Sequence, residues 1–187
     1  YVLPGRPAVL LEDSSTNLLL YSEEFDNSAW SKVRVSVTAN AADEPVLSPS
    51  QLMDKVVEDT STGDHRIQQS VTVSDSAELS LSVYAKAGER NLLLVKFTDG
   101  PGSNYCSAEL DLVNGTVSNK VGAGGNIIYG AYIEPMGGGV YRCCVFGKMA
   151  SGITTCYVQF FVLDDAGNAS YAGDGTSGLY LWGAQLE

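Results

Sequence analysis

Strict alternation of apolar and polar residues is the feature that most constrains how this chain can fold. In Leu79-Ser80-Leu81-Ser82-Val83-Tyr84-Ala85-Lys86, the residues Leu79, Leu81, Val83 and Ala85 share one face. Ser80, Ser82, Tyr84 and Lys86 share the other. A period of two belongs to a β-strand. One apolar and one polar face is the signature of an antiparallel sheet with one side on a core and one in water. Val33, Val35 and Val37 alternate with Arg34, Ser36 and Thr38 in the same way.

The pattern recurs along the chain. Strands are expected at 17–21, 67–73, 91–98, 127–134, 140–148, 153–163 and 179–186. Segment 105–113 reads as another, followed by Asn114-Gly115 and a returning Thr116-Val117-Ser118. Asn-Gly predicts a type I′ turn, in which both central residues need positive φ. Along 153–163, Thr154, Cys156, Val158, Phe160 and Val162 alternate with Thr155, Tyr157, Gln159 and Phe161. Both faces carry apolar residues, which predicts a central strand. Glycine-rich breaks at 122–125, 137–139 and 173–178 separate the elements. Ser48-Pro49-Ser50-Gln51 could instead cap a helix, with Leu52, Met53, Val56 and Val57 at helical spacing. A strand over 52–58 is the favoured alternative. About ten strands with short turns predict an all-β fold, a jelly-roll β-sandwich of antiparallel strands. Residues 17–187 are expected to form one domain, with 1–16 as a connector or N-terminal arm. Tyr1-Val2-Leu3-Pro4-Gly5-Arg6-Pro7 has no initiator Met and is not a signal peptide. It reads as the start of a processed product or of a piece of a longer polypeptide.

Charge narrows the partners. The net charge is −11, and eleven Lys and Arg are scattered among 22 Asp and Glu. Nucleic-acid binding needs a basic footprint, so it is set aside, and an anionic membrane surface is disfavoured on the same ground. No apolar run approaches the roughly 18 residues of a membrane span. With 44% hydrophobic residues, the chain can build a sizeable core.

The residues for common catalytic chemistry are sparse. There is one histidine, His65, expected as a plain polar residue where a loop enters a strand. A Ser or Cys nucleophile usually needs a base, most often His. No GxSxG, HExxH or phosphate-cradling motif occurs. The four cysteines, Cys106, Cys143, Cys144 and Cys156, form no CxxC pair, so zinc is not expected and buried free thiols are. Two carboxylates would suffice for glycoside hydrolysis. Asp164-Asp165 with Gly167-Asn168 reads as a turn instead. The chain is read as non-enzymatic.

The most distinctive stretches lie at the two ends. They are Gly5-Arg6-Pro7-Ala8-Val9-Leu10-Leu11-Glu12, the run Ser15–Trp30, and Tyr171-Ala172-Gly173-Asp174-Gly175-Thr176-Ser177-Gly178-Leu179-Tyr180-Leu181-Trp182-Gly183-Ala184-Gln185-Leu186-Glu187. Between them stand Ser82–Arg90 and Gly139-Val140-Tyr141-Arg142-Cys143. This series resembles a domain of tailed-bacteriophage structural proteins such as tail fibres, head fibres and related virion appendages. It is also similar to carbohydrate-binding modules of the galactose-binding jelly-roll type.

The resemblance implies a jelly roll, a virion-surface or extracellular location, and glycan contact. Partners would be other virion proteins, further copies of the chain in a homotrimer or other symmetric assembly, and a host-surface or environmental glycan. Modules of this kind stack aromatic faces on sugar rings and bond hydroxyls with polar side chains. The candidate contacts here are Trp30, Tyr84, Arg90, Tyr105, Tyr141, Arg142, Tyr171 and Asp174, with Trp182 weighed against a place in the core. The loop 173–178 could approach a ligand closely, although a turn needing positive φ is the favoured reading. The resemblance further implies a structural calcium at Glu23, Glu24, Asp26 and Gln185. No other cofactor is expected. The leading expectation is a fibre, appendage or capsid-decoration domain that attaches to carbohydrate. The alternatives are an isolated carbohydrate-binding module of a polysaccharide-acting protein, and an enzyme acting on surface polysaccharide.

Overall fold

A computed structural model describes residues 16–41, 52–100 and 103–187. Among these there is no helix, and thirteen strands form two antiparallel sheets. The first sheet runs in the order β1 (Ser31–Val33), β4 (Thr62–Thr72), β11 (Thr155–Val162), β6 (Leu92–Thr98), β7 (Tyr105–Asp111), β8 (Thr116–Ala123), and β12 (Ser170–Ala172) also pairs with β4. The second runs β2 (Val35–Thr38), β3 (Asp54–Glu58), β13 (Gly178–Leu186), β5 (Glu78–Ala87), β10 (Val140–Lys148), β9 (Ile127–Gly137). The architecture is a jelly-roll β-sandwich.

Alternation places the core. Leu81, Val83 and Ala85 of β5 are all 0% exposed and pack in one cluster with Val95, Phe97, Val158 and Phe160 of the facing sheet. Each such large side chain contributes about 1.5–3 kcal/mol by leaving water. β11 lies between β4 and β6, so it is central as its two apolar faces predict. Its outward Phe161 is covered by the cations of Arg66 and Lys96, 5.3 and 5.9 Å from the ring centroid. The four cysteines are buried and unpaired.

Several expectations are corrected. Val33 to Val37 is not one strand. Arg34 takes a positive φ of 53°, and the chain passes there from β1 in one sheet to β2 in the other. Segment 17–21 forms no ladder. One main-chain bond, Leu18 N to Leu186 O at 2.9 Å, ties it to β13, and side chains take further groups: Asn17 Oδ1 accepts from Leu19 N, and Gln69 accepts from Leu20 N at 2.8 Å and donates to Leu20 O at 3.0 Å. The Asn114-Gly115 connection is not a two-residue turn. Asp111 pairs with Thr116, leaving four residues between them, and only Gly115 has positive φ. Asp111 Oδ1 accepts from Val113 N and Asn114 N, which favours the wider loop. β12 was not anticipated; three residues are too short for a periodicity signal. Segment 54–58 is a strand, while the capping-box residues Ser48–Gln51 and the arm 1–15 lie outside the described residues.

Candidate functional site

Register sorts the side chains of the six-stranded sheet. Tyr84 lies directly opposite Arg142 on β10 and Trp182 on β13, and Lys86 lies opposite Tyr180. Directly paired residues share a face. Since Val83 and Ala85 point into the core, Tyr84, Lys86, Arg142, Tyr180 and Trp182 stand on the outer face. This face was expected to be wet, and it is not fully so. Trp182 is 7% exposed and packs with Met53 and Val140 in a second apolar cluster outside the sheet, flanked by Tyr84, Met136 and Tyr180. The Tyr84 and Trp182 rings are 5.4 Å apart and tilted by 53°. Trp182 is therefore buried, but not in the core between the sheets.

Two adjoining clefts open beside this cluster and share Glu23 and Trp182. The first, about 380 Å³, is lined by Glu23, Glu24, Asp26, Asn40 and Asp54 among others. The second, about 290 Å³, is lined by Asn17, Tyr84, Gly183 and Gln185 among others. Asp54 anchors the floor of the first: its Oδ2 accepts from Phe25 N at 2.8 Å and its Oδ1 from Asn40 N at 2.9 Å. Burial raises its pKa, and those two backbone bonds offset part of the rise. Of the residues that the resemblance implies for calcium, Glu24 and Asp26 line the first cleft, Gln185 lines the second, and Glu23 lines both. Among the described residues no three carboxylate, thiol or imidazole groups gather closely enough to hold a metal ion.

The remaining candidates separate into different environments. Trp30 is 1% exposed and packs on Phe25 and Phe160 at 4.9 and 5.9 Å, so it is core rather than a sugar platform. A long hydrogen-bonded turn at 21–30 folds it inward, with Nε1 donating to Tyr21 O at 2.9 Å. Tyr105 belongs to the opposite sheet, where Lys96 Nζ lies 4.4 Å from its ring centroid. Tyr141 pairs with Ala85, packs against the core and meets the hairpin loop at Gly115.

Arg90, Tyr171 and Asp174 converge on one residue that sequence reasoning missed, Glu58. Its side chain is fully buried. Arg90 Nε and Nη2 donate to its two oxygens at 2.9 and 2.7 Å, Tyr171 donates at 2.6 Å, and Asp174 N donates at 2.9 Å. Burial pushes the Glu58 pKa up, but these donors outweigh it and hold the carboxyl below its ordinary value. The Asp174 side chain is turned back on its own loop, accepting from Thr176 N and Ser177 N at 2.7 Å each. Gly175 supplies the positive φ of 80°, as a turn reading of 173–178 requires. This cluster ties β3, β12 and the loops before β6 and β13 together through one buried carboxylate.

His65 is not a plain polar residue at a strand edge. It lies within β4, is fully buried, and sets Nδ1 2.8 Å from Arg34 O and Nε2 3.2 Å from Tyr171 O. Both ring nitrogens are thereby engaged with backbone carbonyls.

No family model and no curated protein matches this sequence. Solved structures do share the fold. TmCBM61, determined in complex with beta-1,4-galactotriose, aligns with a TM-score of 0.55 at 10% identity, over 92% of this chain and 99% of that one. The enzymatically active domain of tailspike protein 4 of Bacteriophage CBA120 aligns with a TM-score of 0.51 at 14% identity, over 91% of this chain. The chain spans only 21% of the tailspike domain's length.

Proposed function

We propose that this domain binds carbohydrate on the outer face of its six-stranded sheet and does not catalyse. The observation that carries this reading is the outer cluster of Tyr84, Tyr180 and Trp182 with Arg142 and Lys86 among them. The half-buried Tyr84 and Tyr180 rings, packed on Trp182, offer flat apolar area, and the cations between them offer donors; sugar rings need both. The fold likeness to a galactotriose-binding module supports it. The complete burial of His65 supports the non-catalytic part, because a general base must reach the proton it abstracts.

The test is calorimetric titration of the domain with a panel of soluble polysaccharides. Binding to at least one, weakened about tenfold or more in Tyr84→Ala with an unchanged melting temperature, is the expected result. A panel without binding, or Tyr84→Ala that binds like the parent, would sink this reading.

The setting of the domain is a second part of the proposal, supported by the tailspike likeness. The domain sits on a virion appendage or another extracellular assembly, alongside further copies of itself. Electron microscopy with an antibody against the domain, on particles and on secreted material, decides that part. Labelling of neither overturns it.

A further inference from the structure

Among the described residues, two cations of the outer face, Arg142 and Lys86, form no ion pair. Of the eleven Lys and Arg in the sequence, Lys55, Arg66 and Arg90 are in ion pairs with Glu89, Asp64 and Glu58, and Lys32 donates to backbone carbonyls. Arg142 differs from all of the described cations in one respect. Arg142 Nε is buried without a hydrogen-bond partner, the one such side-chain atom among the described residues. Arg142 is half-buried and directly opposite Tyr84, while Lys86 lies two residues along the same strand on the same face. Glu134 is the register partner of Arg142 on β9, yet it makes no ion pair with it among the described residues.

An unmatched buried donor is expensive to maintain. In a chain of net charge −11 with 22 carboxylates, it is also avoidable. A neutral sugar hydroxyl could satisfy the hydrogen bond. Only an anion satisfies the charge as well, and the guanidinium fork matches the two oxygens of a carboxylate. A sugar ring stacked on Tyr84 would lie beside that fork, since Arg142 is the register partner of Tyr84. We infer that the glycan taken by this face is a carboxylated one, a polymer containing uronic acid, whose carboxylate is held by Arg142 with Lys86 beside it. This rests on the proposed carbohydrate-binding face and adds the ligand class. The overall negative charge makes the inference sharper, because the long-range field repels polyanions and any preference for one must come from local contact.

The experiment compares matched ligands by calorimetry at fixed ionic strength. The domain is titrated with polygalacturonate and alginate, each beside its own carboxyl-reduced form, and with dextran sulfate as a control for charge alone. Binding to at least one acidic polymer about tenfold or more tighter than to its reduced form is expected, as a charge-assisted pair predicts. Arg142→Gln should remove that preference, the acidic polymer losing several-fold more affinity than its reduced form. Arg142→Lys keeps the charge, loses the fork, and should fall between. Glu134→Gln should tighten the acidic polymer only. Equal binding of acidic and reduced forms, or dextran sulfate binding as tightly as the uronates, overturns the inference and leaves the carbohydrate reading standing. If no polymer binds, the carbohydrate reading itself fails. Should Arg142→Gln not fold, Lys86→Gln and Glu134→Gln carry the same comparison.

Discussion

Arg90 grips Glu58 through two parallel hydrogen bonds, 2.9 and 2.7 Å long, at an end of the sandwich where the carboxylate is closed off from solvent. The pair links β3, which carries Glu58, to the turn before β6, and Tyr171 ties β12 to the same carboxylate. Arg90 also lies 5.3 Å from the Tyr171 ring centroid. The side chains of two candidate ligand contacts, Arg90 and Tyr171, are thus engaged by one buried acid.

Arg90→Ala leaves that acid without its counter-charge. It should destabilise the domain by about 3–5 kcal/mol, the range for breaking a buried pair from one side. Urea denaturation measures it. A loss under about 1 kcal/mol would mean that the pair behaves as an exposed one.

The same carboxylate makes stability depend on pH. Its folded pKa lies below the ordinary 4.5, so its contribution is complete above that value and is lost as pH falls through the depressed folded value. Denaturation midpoints should therefore drop below about pH 4.5, and the acid-limb slope should be smaller in Glu58→Gln. Parallel slopes in the two proteins would assign the acid loss to other carboxylates.

Trp30→Ala should cost about 3–5 kcal/mol, as for other large aromatic core truncations. Where the variant remains folded, glycan affinity should stay within about twofold of the parent, since the lost ring faces Phe25 and Phe160 and not the outer sheet. Affinity falling ahead of stability would return Trp30 to the binding surface.

The thiols should be silent in the native protein. All four are at most 2% exposed, and burial pushes Cys106 and Cys156 up to about 12, far from thiolate formation at neutral pH. A maleimide should label none of the four in buffer and all four in denaturant. Rapid labelling of even one native thiol contradicts the packing described.

Tyr105→Ala is the control for the proposed face. Tyr105 lies on the other sheet with Lys96 above its ring, so its removal should leave polysaccharide affinity unchanged within about twofold. Equal losses in Tyr105→Ala and Tyr84→Ala would move the site away from the six-stranded sheet.

The strands were legible wherever a segment faced the core on one side for many residues. β10 spans 140–148 as the pattern predicts, and β5 extends the 79–86 alternation by one residue at each end. The misses have local causes. The φ of 53° at Arg34 splits an alternation that continues unbroken through the sequence, because a change of sheet leaves the period intact. Segment 17–21 has strand-like residues, but it makes one main-chain bond to β13 and its other bonds include those to the Asn17 and Gln69 side chains.

The candidate site was less legible. Residue type named Tyr84 and Arg142, which share the outer face, but equally Trp30, Arg90 and Tyr171, which do not. What the sequence by itself determined is the class: period-two alternation demands pleated sheet with a buried side, and 44% hydrophobic residues are enough to bury it. Only the tertiary structure decided which aromatic rings and cations remain available. Burial and pairing arise from residues far apart in sequence, such as Glu58 closing on Arg90 and Tyr171, and Arg142 left without a partner beside Tyr84.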